Sequence, residues 1–361
     1  MINIKEKGKP SSAKALEGKE EEKIMNIERL IKSGLLSIGE RAQNNPKTLE
    51  MPNFNLGIAN KDYPAMTPFL WNKAFEKLGF DRRNVRLFGD PANISQILQA
   101  FQRDRRYIGG DVGVGFKDKA WQLVDEIDPL AKMMQAINVI VKLPDGRLKG
   151  YNTDGLGYVA SLKDKLLDQG KDLPGQKIVI LGAGGTGNAI AFALAEAGTK
   201  VVILNRTVEK AIDLAQRINS YFGKELAQAG GRDLVKQEVM AAAAVVSVLD
   251  DPKASLDKCC ALGEINYPLT KTELEENLAD AREVLASLPK NVIVSDVMLR
   301  EGDTATIAEA KKYGLPTLDG RPMVLNQAIE AFWLVNQEGL KAKGISKEQV
   351  AEIMTKASEQ K

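Results

Sequence analysis

The 361-residue sequence contains no histidine. Any general acid or base must therefore be Lys, Asp, Glu, Tyr or water, and Ser-His and Cys-His nucleophile pairs are excluded. The two cysteines, Cys259 and Cys260, are adjacent. With no second pair and no histidine they suggest neither a disulfide framework nor a metal ligand set, and they suit a reducing compartment. The most specific local pattern is Gly182-Ala183-Gly184-Gly185-Thr186-Gly187, which follows the apolar run 178–181 and opens another apolar stretch. Glycines at this spacing let the backbone turn tightly and approach a pyrophosphate at a helix N-terminus. Alone the pattern is weak, and a tight turn without a ligand produces it too. A strand before it, then a helix and a second strand, make it specific. The next strand ends in Asn205-Arg206-Thr207, where an NAD site places Asp or Glu against the ribose hydroxyls. No carboxylate here repels a 2′-phosphate, and Arg206 can pair with one, so NADP is the expected cofactor. The plain alternative for Arg206 is a solvated surface arginine.

Several further segments fall at matching intervals: DVGVGFKDKA ending in Ala120, AINVIV around Asn138, GYNTDGLGY at 150–158, and DGRPMVLNQAIEAF at 319–332. With GAGGTGNA and NRT, they resemble the shikimate/quinate dehydrogenase family over about residues 54–335. The resemblance implies Lys117 and Asp154 as the catalytic pair, and Thr67, Asn138 and Gln327 as substrate contacts. It also implies dinucleotide contacts from Gly182, Ala183, Gly184, Gly185, Thr186, Gly187, Asn205, Arg206 and Thr207. The implied reaction interconverts a cyclic alcohol and its ketone with NADP, shikimate and 3-dehydroshikimate in the type case, within aromatic amino acid biosynthesis. The chemistry of the residues agrees. A hydride-transfer enzyme needs a partner for the hydroxyl proton, and a lysine oriented by an aspartate can serve where histidine is absent. Read singly, Lys117 is a surface lysine at a helix start and Asp154 a helix N-cap.

The sequence departs from the family where the substrate carboxylate is held. The Ser-x-Ser before a proline is Ala65-Met66-Thr67 here, Asn-Val-Thr is Asp111-Val112-Gly113, and an expected tyrosine is Leu299. These changes predict weaker use of shikimate, with Asp111 adding repulsion if it points inward, and Lys61 or Tyr63 as replacement donors. Quinate or another cyclic polyol is then an alternative substrate. A ligand-sensing relative without catalysis is a rival reading that Ala65, Asp111 and Leu299 favour and Lys117 and Asp154 oppose, and a folate-type methylene dehydrogenase explains GYNTDG and Gln327 less well.

These residues need elements to position them. Strands expected at 54–59, 85–88, 107–114, 137–141 and 148–151 alternate with helices at 68–79, 93–101 and 119–135. A second α/β unit opens at Lys177, and apolar and polar helices close the chain after Gly320 and Ser346. The expected fold class is α/β: an N-terminal α/β substrate domain plus a Rossmann-type doubly wound nucleotide-binding domain. The expected limits are 1–50 for a partly disordered extension carrying a short helix after Ile24, 51–154 for the substrate domain completed by helices at 323–361, and 155–322 for the NADP domain. Net charge of +2 gives no reason to expect nucleic acid, and no apolar run is long enough to span a membrane. The N-terminal stretch lacks the apolar core of a signal peptide, so a cytoplasmic monomer or homodimer acting on a small cyclic molecule is expected.

Overall fold

The computed structural model describes residues 26–39, 46–61, 65–249, 270–299 and 302–360. The tail at 1–22, Tyr63, the strand exit at Asp250-Asp251 and the Cys259–Cys260 pair lie outside these residues.

The first lobe carries α1 (Ile27–Lys32), β1 (Leu36–Ile38), β2 (Phe54–Ala59), α2 (Met66–Lys77), β3 (Asn84–Gly89), α3 (Ile94–Arg103) and β4 (Tyr107–Asp111). It continues through α4 (Lys117–Ala120), β5 (Glu126–Ile127), α5 (Pro129–Met134), β6 (Val139–Lys142) and β7 (Leu148–Tyr151). Its seven strands lie in the order β1-β3-β2-β4-β6-β7-β5. Strands β3, β2 and β4 are parallel neighbours, and β6 pairs antiparallel with β4 and β7. Every residue of β2 is buried, as a strand covered on both faces requires.

The second lobe opens with α6 (Asp154–Leu167) and β8 (Lys177–Leu181), followed by α7 (Gly185–Glu196), β9 (Lys200–Leu204), α8 (Val208–Phe222), β10 (Ala227–Gly230) and α9 (Val235–Met240). Then come β11 (Ala244–Ser247), α10 (Lys271–Ser287), β12 (Ile293–Asp296), α11 (Ala305–Lys312) and β13 (Thr317–Leu318). The six strands are parallel in the order β10-β9-β8-β11-β12-β13. This is the doubly wound order, whose ligand crevice lies outside the carboxyl ends of the strands where the winding reverses, between β8 and β11. The chain returns to the first lobe through α12 (Gly320–Ala342) and α13 (Lys347–Ser358). Trp71 on α2 donates its indole N–H to the Ala328 carbonyl of α12 at 3.0 Å, and both helices share one apolar cluster with Val139 and Met354.

Two local expectations change. The sequence reading starts the first lobe at residue 51, but Ile27, Leu30 and Leu36 are buried in its core and β1 pairs with β3. Gly34, in the left-handed region at φ 77°, ends the N-terminal helix early enough for that strand to form. Residues 119–135 are not one helix. Asp125 and Asp128 donate backbone N–H groups to Leu148 and Gly150, drawing the chain onto β7. Pro129 then starts α5, with the Asp128 carboxylate accepting from Leu130 and Ala131 at 3.0 and 3.2 Å. Asn93 stands at the N-cap of α3 without a side-chain capping bond; Asp90 accepts from Ala92 at 2.8 Å one turn earlier.

The lobes join through α6, which packs between α7 and α12. Gly155 and Gly157 permit this. A Cβ on Gly155 would lie 2.3 Å from the Ala189 carbonyl oxygen, and one on Gly157 would lie 2.6 Å from that of Met323. Both helices therefore approach α6 more closely than any larger residue allows. Among the described residues, no helix is long and apolar enough to cross a membrane.

Candidate active site

The GYNTDG segment ends β7 and starts α6, and its polar side chains fix the corner. Asn152 donates to the Ala136 carbonyl at 3.0 Å and accepts from the Asp154 backbone at 3.0 Å. Thr153, the N-cap residue, gives its backbone N–H to Asn138 Oδ1 at 2.8 Å and its hydroxyl to the Gln327 carbonyl at 3.1 Å. Asp154 is thus the first helical residue rather than the cap, which leaves its carboxylate available for other partners. Being in the first turn, it also gains from the helix dipole.

Those partners are the residues singled out in the sequence. Lys117 Nζ lies 2.6 Å from Asp154 Oδ2, and Asn138 Nδ2 donates to Asp154 Oδ1 at 2.7 Å. The same Asn138 amide reaches Gln327 Oε1 at 3.2 Å. Lys117 opens α4, Asn138 precedes β6, Asp154 opens α6, and Gln327 lies on α12, so four separate elements converge. The aspartate side chain is 8% exposed and the lysine side chain 28%. Asn138 and Lys117 thus hold one carboxylate oxygen each. Thr67 is buried in the first turn of α2 and, among the described residues, hydrogen-bonds to none of the four.

Asp111 does not act as the sequence suggested. It is buried and forms an ion pair with the equally buried Arg86 of β3. Gly57 on the intervening β2 makes room, since a Cβ there would sit 2.2 Å from Asp111 Oδ1. The arginine balances the carboxylate, so the expected net repulsion of an anionic substrate does not arise. Arg86 went unnoticed in the sequence because its partner lies 25 residues away on a strand that is not its neighbour. Ala65 caps α2 without a side-chain hydrogen bond, and Leu299 and Lys61 are exposed.

The dinucleotide motif occupies the β8–α7 turn. Gly182 takes φ 119°, and a Cβ on Gly187 would meet the Gly182 carbonyl oxygen at 2.5 Å. Gly184 is the N-cap, and a Cβ added there or at Gly185 would have open space around it, with nothing within 4 Å. The first-turn amides of α7 thus face space with no capping side chain, the cradle a diphosphate requires. Asn205, at the end of β9, accepts from the Ala183 N–H at 3.1 Å and donates to the Thr207 carbonyl at 2.8 Å. It ties the glycine turn to the strand end that carries Arg206. Arg206 and Thr207 are exposed. Trp121, Gln122 and Gln135 of the first lobe face Ala183, Gly184 and Gly185 of the second across a cleft of about 520 Å³.

This geometry has counterparts in known proteins. Residues 58–140 match the family model of the shikimate dehydrogenase substrate binding domain, and residues 164–246 that of shikimate / quinate 5-dehydrogenase. Shikimate dehydrogenase (NADP(+)) of Aquifex aeolicus is 30% identical over 273 residues, 75% of this chain and 87% of that protein. The chain belongs to the shikimate dehydrogenase family. The bifunctional 3-dehydroquinate dehydratase/shikimate dehydrogenase of Arabidopsis thaliana is 31% identical over 276 residues, which cover 74% of this chain and 41% of that longer protein. The crystal structure of shikimate 5-dehydrogenase from Listeria monocytogenes superposes with a TM-score of 0.65 at 24% identity, over 86% of this chain and 98% of that one. That likeness establishes the fold: an N-terminal α/β substrate domain and a Rossmann-type domain.

Proposed function

We propose that this family member interconverts a ring alcohol and its ketone with NADP, in the manner of shikimate and 3-dehydroshikimate. The observation that carries the reading is the Lys117–Asp154 pair at 2.6 Å, braced by Asn138 and Gln327. The first sheet with α12 and α13 holds the substrate, and residues 155–322 hold the nucleotide. Gly182 to Gly187 cradle the diphosphate, and Asn205, Arg206 and Thr207 receive the 2′-phosphate end. The bound dinucleotide supplies the hydride acceptor. In the oxidation direction Lys117 accepts the hydroxyl proton of the substrate alcohol, and the hydride leaving the carbinol carbon would go to the dinucleotide when bound. Asp154 stabilises the ammonium so formed, and Asn138 keeps the carboxylate aimed at it. The reverse direction returns the proton to the new alkoxide oxygen. Asn138, Gln327 and Thr67 orient the ring through its other polar groups.

Ala65 and Leu299 favour a second substrate within the same chemistry, one whose carboxylate is absent or differently placed, as in a related cyclic polyol. NADPH consumption measured against a panel of cyclic ketones that includes 3-dehydroshikimate tests both. Turnover with 3-dehydroshikimate supports the first reading and turnover with another ring ketone the second. Tight NADPH binding without turnover of any ketone would favour a ligand-sensing protein. We place the protein in the cytoplasm as a monomer or homodimer, acting in aromatic amino acid biosynthesis.

A further inference from the structure

Gln135 is the only non-glycine residue with positive φ among the described residues, at φ 56° and ψ 32°. A residue with a Cβ takes this left-handed conformation at an energetic cost that glycine avoids, and such positions cluster where a ligand is held. Gln135 ends α5, and its neighbours fix it there. Its backbone N–H donates to the Lys132 carbonyl at 3.2 Å, and two residues on, Ile137 donates to the carbonyl of Lys117 at 3.1 Å. The second lobe grips the same corner: Asn188 Nδ2 reaches the Met134 carbonyl at 3.4 Å, and Arg217 Nη1 reaches that of Met133 at 2.5 Å. The Gln135 Cα is therefore registered against α7, although it belongs to the other lobe. Its side chain is exposed and lines the cleft that the glycine turn faces.

We propose that Gln135 is a dinucleotide contact supplied by the substrate lobe, its side-chain amide donating to the diphosphate cradled at the start of α7. The proposal rests on the reading that the chain binds NADP. The charges around the cleft favour a neutral donor. Asp118, Glu209 and Asp213 line it alongside Lys210 and Arg217, and Arg217 is engaged with Asp213 at 2.8 Å and with the Met133 carbonyl. An amide N–H adds a hydrogen bond to phosphate and carries no charge that would form an ion pair with these carboxylates. It also links the two lobes through the ligand, so nucleotide binding would draw the Lys117 corner and the glycine turn together.

Two variants separate side chain from backbone. Gln135→Gly removes the amide and relieves the turn, while Gln135→Ala removes the amide and keeps a Cβ on the left-handed backbone. Without nucleotide, the glycine variant should melt about 2–4 °C higher than wild type and the alanine variant close to it. NADPH titrations should show both variants binding about tenfold more weakly than wild type. Wild-type affinity in both variants would overturn the proposal and leave Gln135 a structural turn residue. Weakening in the glycine variant alone would overturn it too, by assigning the effect to the backbone. A wild-type protein that does not bind NADPH would overturn the cofactor reading itself, and this proposal with it.

Discussion

At the scale of single residues, the chemistry depends on which charges are left facing the cleft. Lys117, Asp154, Asn138 and Gln327 were singled out in the sequence through the family resemblance of the short motifs that carry them, and the structure brings the four together. Asn152 and Thr153 of GYNTDG bond Ala136, Asn138 and Gln327, and the Asp154 carboxylate is shared by Lys117 and Asn138. Asp111 and Arg86 were not legible as a pair, because their contact crosses a sheet and needs a glycine on the strand between them. Removing one partner of a buried ion pair leaves the other uncompensated. Asp111→Ala should therefore cost on the order of 3–5 kcal/mol, read as a lower urea midpoint at unchanged slope. An unchanged midpoint would mean the pair is not buried in solution. Arg206 is exposed at the end of β9, where Asn205 and Thr207 flank it in place of an acidic residue. Arg206→Ala should weaken NADP binding by about 1–3 kcal/mol and leave NAD binding nearly unchanged. Equal wild-type affinities for the two cofactors would refute that role.

At the scale of elements, the glycine turn and the apolar strands were readable because their signals are local: strand, tight turn and helix follow one another directly. The stretch from 119 to 135 was not, because pairing with β7 overrode its helical composition and only Pro129 marked the break. Gly155 and Gly157 looked like part of a catalytic motif, yet their visible task is to let α7 and α12 approach α6. Gly157→Ala must push α12 away at Met323 and Gln327. A loss of about 1–3 kcal/mol in stability is expected, together with a raised KM for the ring substrate as Gln327 shifts. A thermal melt and a kinetic run on the same preparation would show either effect. On the opposite side of the second lobe, Glu309 of α11 accepts from Lys312 and from Arg282 of α10, and these bonds hold its carboxyl below the ordinary range. A depressed folded pKa contributes stability above the unfolded value, near 4.3, and loses it as the pH falls through the folded one. Glu309→Gln should therefore melt lower than wild type at pH 7, by a small margin because both partners are largely solvated. The gap should close as the pH falls below about 4. A gap that persists there would mean the loss is one of packing rather than charge.

At the scale of the whole molecule, two sheets with separate cores are joined by α6 and closed by the return of α12, so Trp121, Gln122 and Gln135 of the first lobe share a cleft with the nucleotide turn of the second. The α/β class and the two-lobe order were legible from alternating strands and helices. The short N-terminal helix was legible from the spacing of Ile27, Leu30 and Ile31, but β1 was not, because three residues carry too little alternation to mark a strand. The central claim is that this cleft moves a hydride between nicotinamide and a ring carbon while Lys117 handles the proton. The most direct measurement uses NADPH deuterated at the transferable nicotinamide position, with 3-dehydroshikimate as acceptor, for wild type and Lys117→Ala. The account predicts deuterium on the ring carbon of the product with wild type. It predicts turnover lowered by about 10²–10⁴-fold in the variant at nearly unchanged NADPH affinity. A variant that transfers deuterium at the wild-type rate would contradict the account, as would a wild type that binds both ligands and transfers none.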